Sequence, residues 1–248
     1  KELTTLLKMN PDDVSSFMSS PVKLDTITIY PVNPYGSGVA PFFSNLALWV
    51  CGFILMAIVR IRVDPTGLPK FTPTQGYFGR WMFYISVGLV QSIVICAGDL
   101  IIGVQCVNPA AFFGAGILAG FVYVNLLYAL AVCMRHIGKA LAVVLLVMQI
   151  PGSSGMFPIE MMPKFYQVIN PLLPFTYSID AMREAIGSIY GNHYLIDMLA
   201  LGLGFIPIGF AIGLIGVRYG YNVNMLFDSK LSRTDLFNSE QVPKNDRW

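Results

Sequence analysis

Five long apolar runs punctuate the chain, at 39–59, 81–104, 109–134, 140–157 and 195–217, and polar or proline-rich stretches separate them. Each run is long enough to cross about 30 Å of hydrocarbon at 1.5 Å of helix rise per residue. The pattern predicts an all-α polytopic membrane protein with five transmembrane helices in this segment. One stretch departs from the pattern. After the apolar residues 140–150 come Pro151, Gly152, Ser153, Ser154 and Gly155, where proline removes a backbone donor and glycine loosens the helix. Beyond the break, Phe157, Ile159, Met161, Met162, Phe165, Tyr166, Val168 and Ile169 are interleaved with Pro158, Pro163, Pro171 and Pro174. Irregular backbone at membrane depth is tolerated only where protein or water satisfies it, so 156–187 is expected to be a re-entrant extracellular helical hairpin before the last span. Its two short helices should part near 170–174, because Pro171 and Pro174 disfavour helical geometry in the residues before them. The first helix should tuck Phe157, Met161, Phe165 and Ile169 against the spans, and the second should begin near Thr176 as its cap.

The flanks read differently. Residues 1–38 have a short helical pattern around Leu3, Leu6 and Leu7, β-formers in alternation at Thr26, Ile27, Thr28, Ile29 and Tyr30, and a hinge at 31–38. They predict a small α/β stub, the end of an extracellular domain. Residues 68–80 have no sustained helical period and are expected to be a connector near the headgroups. Residues 218–248 are polar and predict a poorly ordered tail.

Composition makes the membrane assignment firm. The chain is 55% hydrophobic and 12% charged over 248 residues, with a mean hydropathy of +0.62, which excludes an ordinary soluble domain and offers nothing for nucleic acid. Eleven of the sixteen Lys and Arg, among them Arg60, Arg62, Arg80, Arg135, Lys139 and Arg218, fall on one face of the predicted topology. Cytoplasmic flanks carry that excess, so Lys1 is expected outside and Trp248 inside. An odd number of spans with an outside N-terminus implies a sixth span N-terminal to this segment.

Candidate chemistry is sparse. Gly138-Lys139 is followed by Ala140 and lacks the upstream glycine of a phosphate-binding loop, so a nucleotide-binding subunit would be a separate chain. His136 and His193 are expected on opposite sides, which argues against a metal site, and no cofactor or catalytic residue is expected. Gly152-Ser153-Ser154-Gly155 matches the GxSG string of rhomboid-type intramembrane proteases, but a hydroxyl nucleophile needs a base in reach, and a helix breaker accounts for the same string. Polar residues inside spans are the default functional candidates: Asn45, Gln91, Asp99, Asn125 and Gln149. Their convergence on one cavity would favour transport, and their dispersal an anchor. Asp99 should find a polar neighbour, with Asn125 and Gln149 as candidates. Gly116 and Gly120 form a GxxxG that allows close helix approach.

The broken element also carries a resemblance. Gly155-x-Phe157-Pro158, Met162-Pro163, Asn170-Pro171 and Thr176-Tyr177-x-x-Asp180-x-x-Arg183 resemble the signature before the last span of type 2 ABC exporter permeases. Tyr35-Gly36-x-Gly38-x-Ala40-Pro41-Phe42-Phe43 is similar to the segment by which the extracellular domain of the YhgE/Pip (phage infection protein) family returns to the membrane. The resemblance implies a permease-like subunit of an exporter or export-associated system, working as a homo- or heterodimer. It places an outer gate at Pro151, Gly155, Phe157, Pro158, Asn170, Pro171, Tyr177, Asp180 and Arg183. The alternative it leaves open is a phage receptor or secretion-machinery scaffold, with phage or secretion partners reached through the extracellular domain and the helices as an anchor.

Overall fold

The computed structural model describes residues 31–32, 34–61, 63 and 71–231, with side chains through 218. The expected strand at 22–30 and the rest of residues 1–30 lie outside the described residues; the expected hinge at 31–38 is already helix from Tyr35 onwards. Among those described, the secondary structure is entirely helical.

Helix α1 (Tyr35–Ile58) begins earlier than hydropathy indicated and carries Pro41 inside its second turn. Helix α2 (Pro73–Ile102) also starts early and absorbs half of the expected connector. The cause is a capping box: Gln75 N donates to Thr72 Oγ1 at 3.4 Å, and Thr72 N donates to Gln75 Oε1 at 2.8 Å, with Pro73 in the first turn where its missing donor costs nothing. Gly103, at φ 99°, ends the helix. Helix α3 (Pro109–Met134) starts at an Asn108 cap and is the central post of the bundle, in contact with every other long helix. Its residues 122–130 are buried without interruption.

Helix α4 (His136–Gly152) follows after a single linking residue, Arg135, at φ 46°. So tight a hairpin needs Gly138, where a Cβ would collide with the Leu130 carbonyl of α3. Beyond it run a 3₁₀ turn (Ile159–Met161), α5 (Lys164–Ile169), a second 3₁₀ turn (Asn170–Leu172) and α6 (Pro174–Gly187). The last long element is α7 (His193–Leu199), a π-helical turn (Ala200–Gly204) and α8 (Phe205–Leu231). Helix α8 extends past 217 into the segment expected to be an irregular tail.

Among the described residues, four helices are long and apolar enough to cross a membrane: α1, α2, α3 and the stretch His193–Arg218. The predicted fourth span is instead the 17-residue α4, about 25 Å of helix. Small residues set the spacing between these helices. Cβ atoms at Gly116 and Gly120 would strike Cys96 and Ser92 of α2, and at Gly209, Gly213 and Gly216 they would strike Asn125, Tyr77 and Cys133. The GxxxG therefore serves packing inside this chain, against α2.

Candidate functional site

The break after α4 is organised by two side chains. Helix α4 runs through Pro151 and closes at Gly152, with Ser153 N donating to Gln149 O at 3.0 Å. Ser154 then takes φ 52° and turns the chain away. Asn170 Nδ2 reaches back to Gly152 O at 2.7 Å and to Thr176 Oγ1 at 3.1 Å. From α6, Arg183 Nη2 donates to Ser154 O at 2.9 Å and Gly155 O at 2.8 Å, while its Nη1 pairs with Asp180 Oδ1 at 3.2 Å. Both guanidinium and carboxylate are half-exposed. The last carbonyls of a helix lack partners within it, and Asn170 supplies one at Gly152 O, while the Arg183 fork holds the two carbonyls just past the helix end where the chain turns. Gly155 lies flat against Phe42 of α1, and any Cβ would occupy the ring.

Helix α6 is the buried half of the element. Phe175, Ile179, Met182 and Ala185 are inaccessible, and Phe175 stacks among Trp49 and Tyr123. Its start differs from expectation: Leu173 is the N-cap residue, Pro174 opens the helix, and Thr176 Oγ1 donates to Asn170 O at 2.8 Å. Tyr177 closes the preceding turn by donating to Pro171 O at 2.8 Å.

The other half of the element faces out. Phe157, Met161 and Phe165 are exposed, Met161 by 74%, so these three do not tuck against the spans, whereas Ile169 is half-buried beside Gly152 at the end of α4. Pro158 and Pro163 each start a separate turn, and a spacing of four residues does not continue across such breaks.

The five polar span residues occupy separate places. Asn45 Nδ2 donates to Pro41 O at 2.7 Å and contacts Met182 Sδ, and its Oδ1 accepts from Tyr123 Oη at 2.6 Å. Tyr123 Oη lies 2.5 Å from Ser178 Oγ, so a satisfied, solvent-free polar chain joins α1, α3 and α6. Asp99 meets Ser44 Oγ at 2.5 Å and neither Asn125 nor Gln149. Asn125 accepts from Trp81 Nε1 at 2.9 Å and donates to Ile206 O at 3.2 Å, towards α2 and α8. Gln91 is half-buried on α2. Gln149 is 1% exposed, and its Oε1 has no partner among the described residues. The Ser153 hydroxyl is likewise buried without a partner among the described residues.

Sequence reasoning missed Tyr123, Ser178 and Ser44. Tyr123 and Ser178 are hydroxyls within otherwise apolar helices, and only their meeting across three helices marks them out.

The sequence profile of the family described as "ABC-2 family transporter protein" matches residues 2–217. The chain belongs to that family. It is also 29% identical over 203 residues to "Uncharacterized protein YhgE" of Bacillus subtilis (strain 168), an alignment covering 81% of this chain and 26% of that one. The chain thus spans about a quarter of the length of that curated relative. No solved structure matches the chain significantly. As an ABC-2 family member it is a multi-pass membrane protein of the YhgE/Pip-like kind, a permease-like membrane component. In this ABC-2 chain the signature residues have physical tasks: Gly155 admits Phe42, and Asn170 and Arg183 hold the two sides of the break.

Proposed function

We propose that this chain is the membrane-spanning part of a bacterial exporter or export-associated system, with the ATPase on another subunit and two permease-like copies working together. In this reading the chain crosses the membrane five times, with α4 as the short crossing, and Lys1 lies outside and Trp248 inside. The 156–187 element is re-entrant at the outer face, preceded by an extracellular stub, and its closed state is the gate. One observation carries the reading: the Arg183 fork on the Ser154 and Gly155 carbonyls, which ties a movable element to the end of α4 through directed, exchangeable bonds.

The experiment is Arg183→Ala in the full-length protein, compared with wild type for export and for passive leak of a small dye from proteoliposomes. Raised leak or altered export at unchanged expression supports the gate. Wild-type behaviour removes it. Cysteine labelling in intact cells tests the orientation, with a cysteine at Gln167 expected to react from outside and one at Gly67 not.

The dispersal of Asn45, Asp99 and Asn125 into separate contacts favours a second reading, a receptor or secretion scaffold with the helices as anchor. Copurification of a nucleotide-binding subunit with the full-length protein distinguishes the two.

A further inference from the structure

Beside the Arg183 fork lies an open groove of about 320 Å³ lined by Ser154, Met156, Phe157, Ile159, Glu160 and Arg183. Its walls combine three features. A guanidinium has five N–H donors, and three contacts to Ser154 O, Gly155 O and Asp180 leave one Nη1 hydrogen and the Nε hydrogen uncommitted. Glu160 is exposed and has no ion-pair partner among the described residues. Met156 and Phe157 are exposed apolar walls, continuous along the chain with the exposed Met161 and Phe165.

A purely anionic ligand would meet Glu160 as well as Arg183, whose charge Asp180 already partly neutralises. A purely cationic one would meet the guanidinium. We propose that the groove binds a phospholipid with a zwitterionic amine headgroup, the phosphate on the free Arg183 donors, the ammonium on Glu160 and the acyl chain along Met156 and Phe157. Arg is suited to phosphate through its planar fork of donors, and exposed apolar residues beside charged ones suit the headgroup boundary. The proposal rests on the part of that reading that puts 156–187 at a membrane surface.

The test uses the full-length protein in mild detergent, offered equal amounts of phosphatidylethanolamine and phosphatidylglycerol, with retained lipid counted by native mass spectrometry. Wild type should retain phosphatidylethanolamine by about fivefold over phosphatidylglycerol, the size expected of a partly exposed charge contact. Glu160→Gln, at an exposed position, should bring the ratio close to parity without changing the unfolding temperature. Soluble glycerophosphoethanolamine at the same concentration should fail to displace the lipid. No preference in wild type, or an unchanged ratio in Glu160→Gln, overturns the proposal, and displacement by the soluble headgroup overturns the lipid as its occupant. If a cysteine at Gln167 reacts only from inside while the Glu160-dependent preference persists, the outer placement fails and the lipid site stands.

Discussion

Helix α3 and the element between α4 and the last span are both central to the molecule, but different forces hold them. Around α3 the neighbours are fixed by shape: glycines at Gly116, Gly120, Gly209 and Gly216 allow contacts where any Cβ would collide. Around the break, position is fixed by a few directed bonds from Asn170 and Arg183 to backbone carbonyls. Shape complementarity has one solution and fails steeply when violated. Directed bonds at a partly exposed site can be exchanged for water at small cost. The first region is therefore suited to be a frame and the second to move against it.

The largest expected effect falls on the frame. Gly138→Ala puts a methyl group onto the Leu130 carbonyl, and because backbone cannot rotate away, the α3–α4 hairpin must open. The expected loss is about 3 kcal/mol or more, read as a lower unfolding temperature and a loss of monodisperse protein in detergent. A tolerated substitution would mean that the frame is softer than its contacts imply.

Next comes Tyr123→Phe, which leaves Asn45 Oδ1 without its donor inside a dry core, while the Ser178 hydroxyl falls back on the Pro174 and Phe175 carbonyls. It should cost about 1–2 kcal/mol, and a double-mutant cycle with Ser178→Ala should give a non-zero coupling. Additivity would show that the two hydroxyls do not act as one chain.

Arg183→Ala sharpens the contrast from the other side. Its ion pair is half-exposed, so global stability should fall by less than about 1 kcal/mol. Modification of a cysteine at Ser154 should nonetheless accelerate by roughly tenfold, equivalent to ~1.4 kcal/mol of local opening. Equal changes in both measurements would merge the two regions into one cooperative unit.

The smallest effect belongs to Asp99→Asn, which keeps a hydrogen-bonding partner for Ser44 and should shift stability by no more than about 0.5 kcal/mol. A large loss would place a charge-dependent contact in the frame.

The sequence was most legible where one residue type had one physical meaning. Pro151 with Gly152 marked the end of α4, Gly116 and Gly120 marked a close approach, and Asp180 with Arg183 marked a pair at helical spacing, all seen in the fold. It was least legible where a weak local signal competed with hydropathy. Thr72-Pro73-Thr74-Gln75 is a capping signature, but Lys70 and the mixed polarity around it read as a connector. Phe157, Met161 and Phe165 carry a helical spacing that Pro158 and Pro163 nullify. The pairing of Asp99 with Ser44 depends on helix rotation, which no single span encodes.

The π-helical turn at Ala200–Gly204 makes chain length itself a constraint. Above it Tyr194 Oη donates to Ala111 O at 2.7 Å, and below it Gly209, Gly213 and Gly216 lie against α3 and α2. Both halves thus address the same bundle only because the wide turn holds one residue more than an α-helix would need. A deletion within 200–204 would let the segment close as a regular α-helix with both halves still in phase, whereas a deletion elsewhere in 193–218 would turn one half by about 100° relative to the other. In this span the place of a deletion, more than the side chain removed, sets its cost.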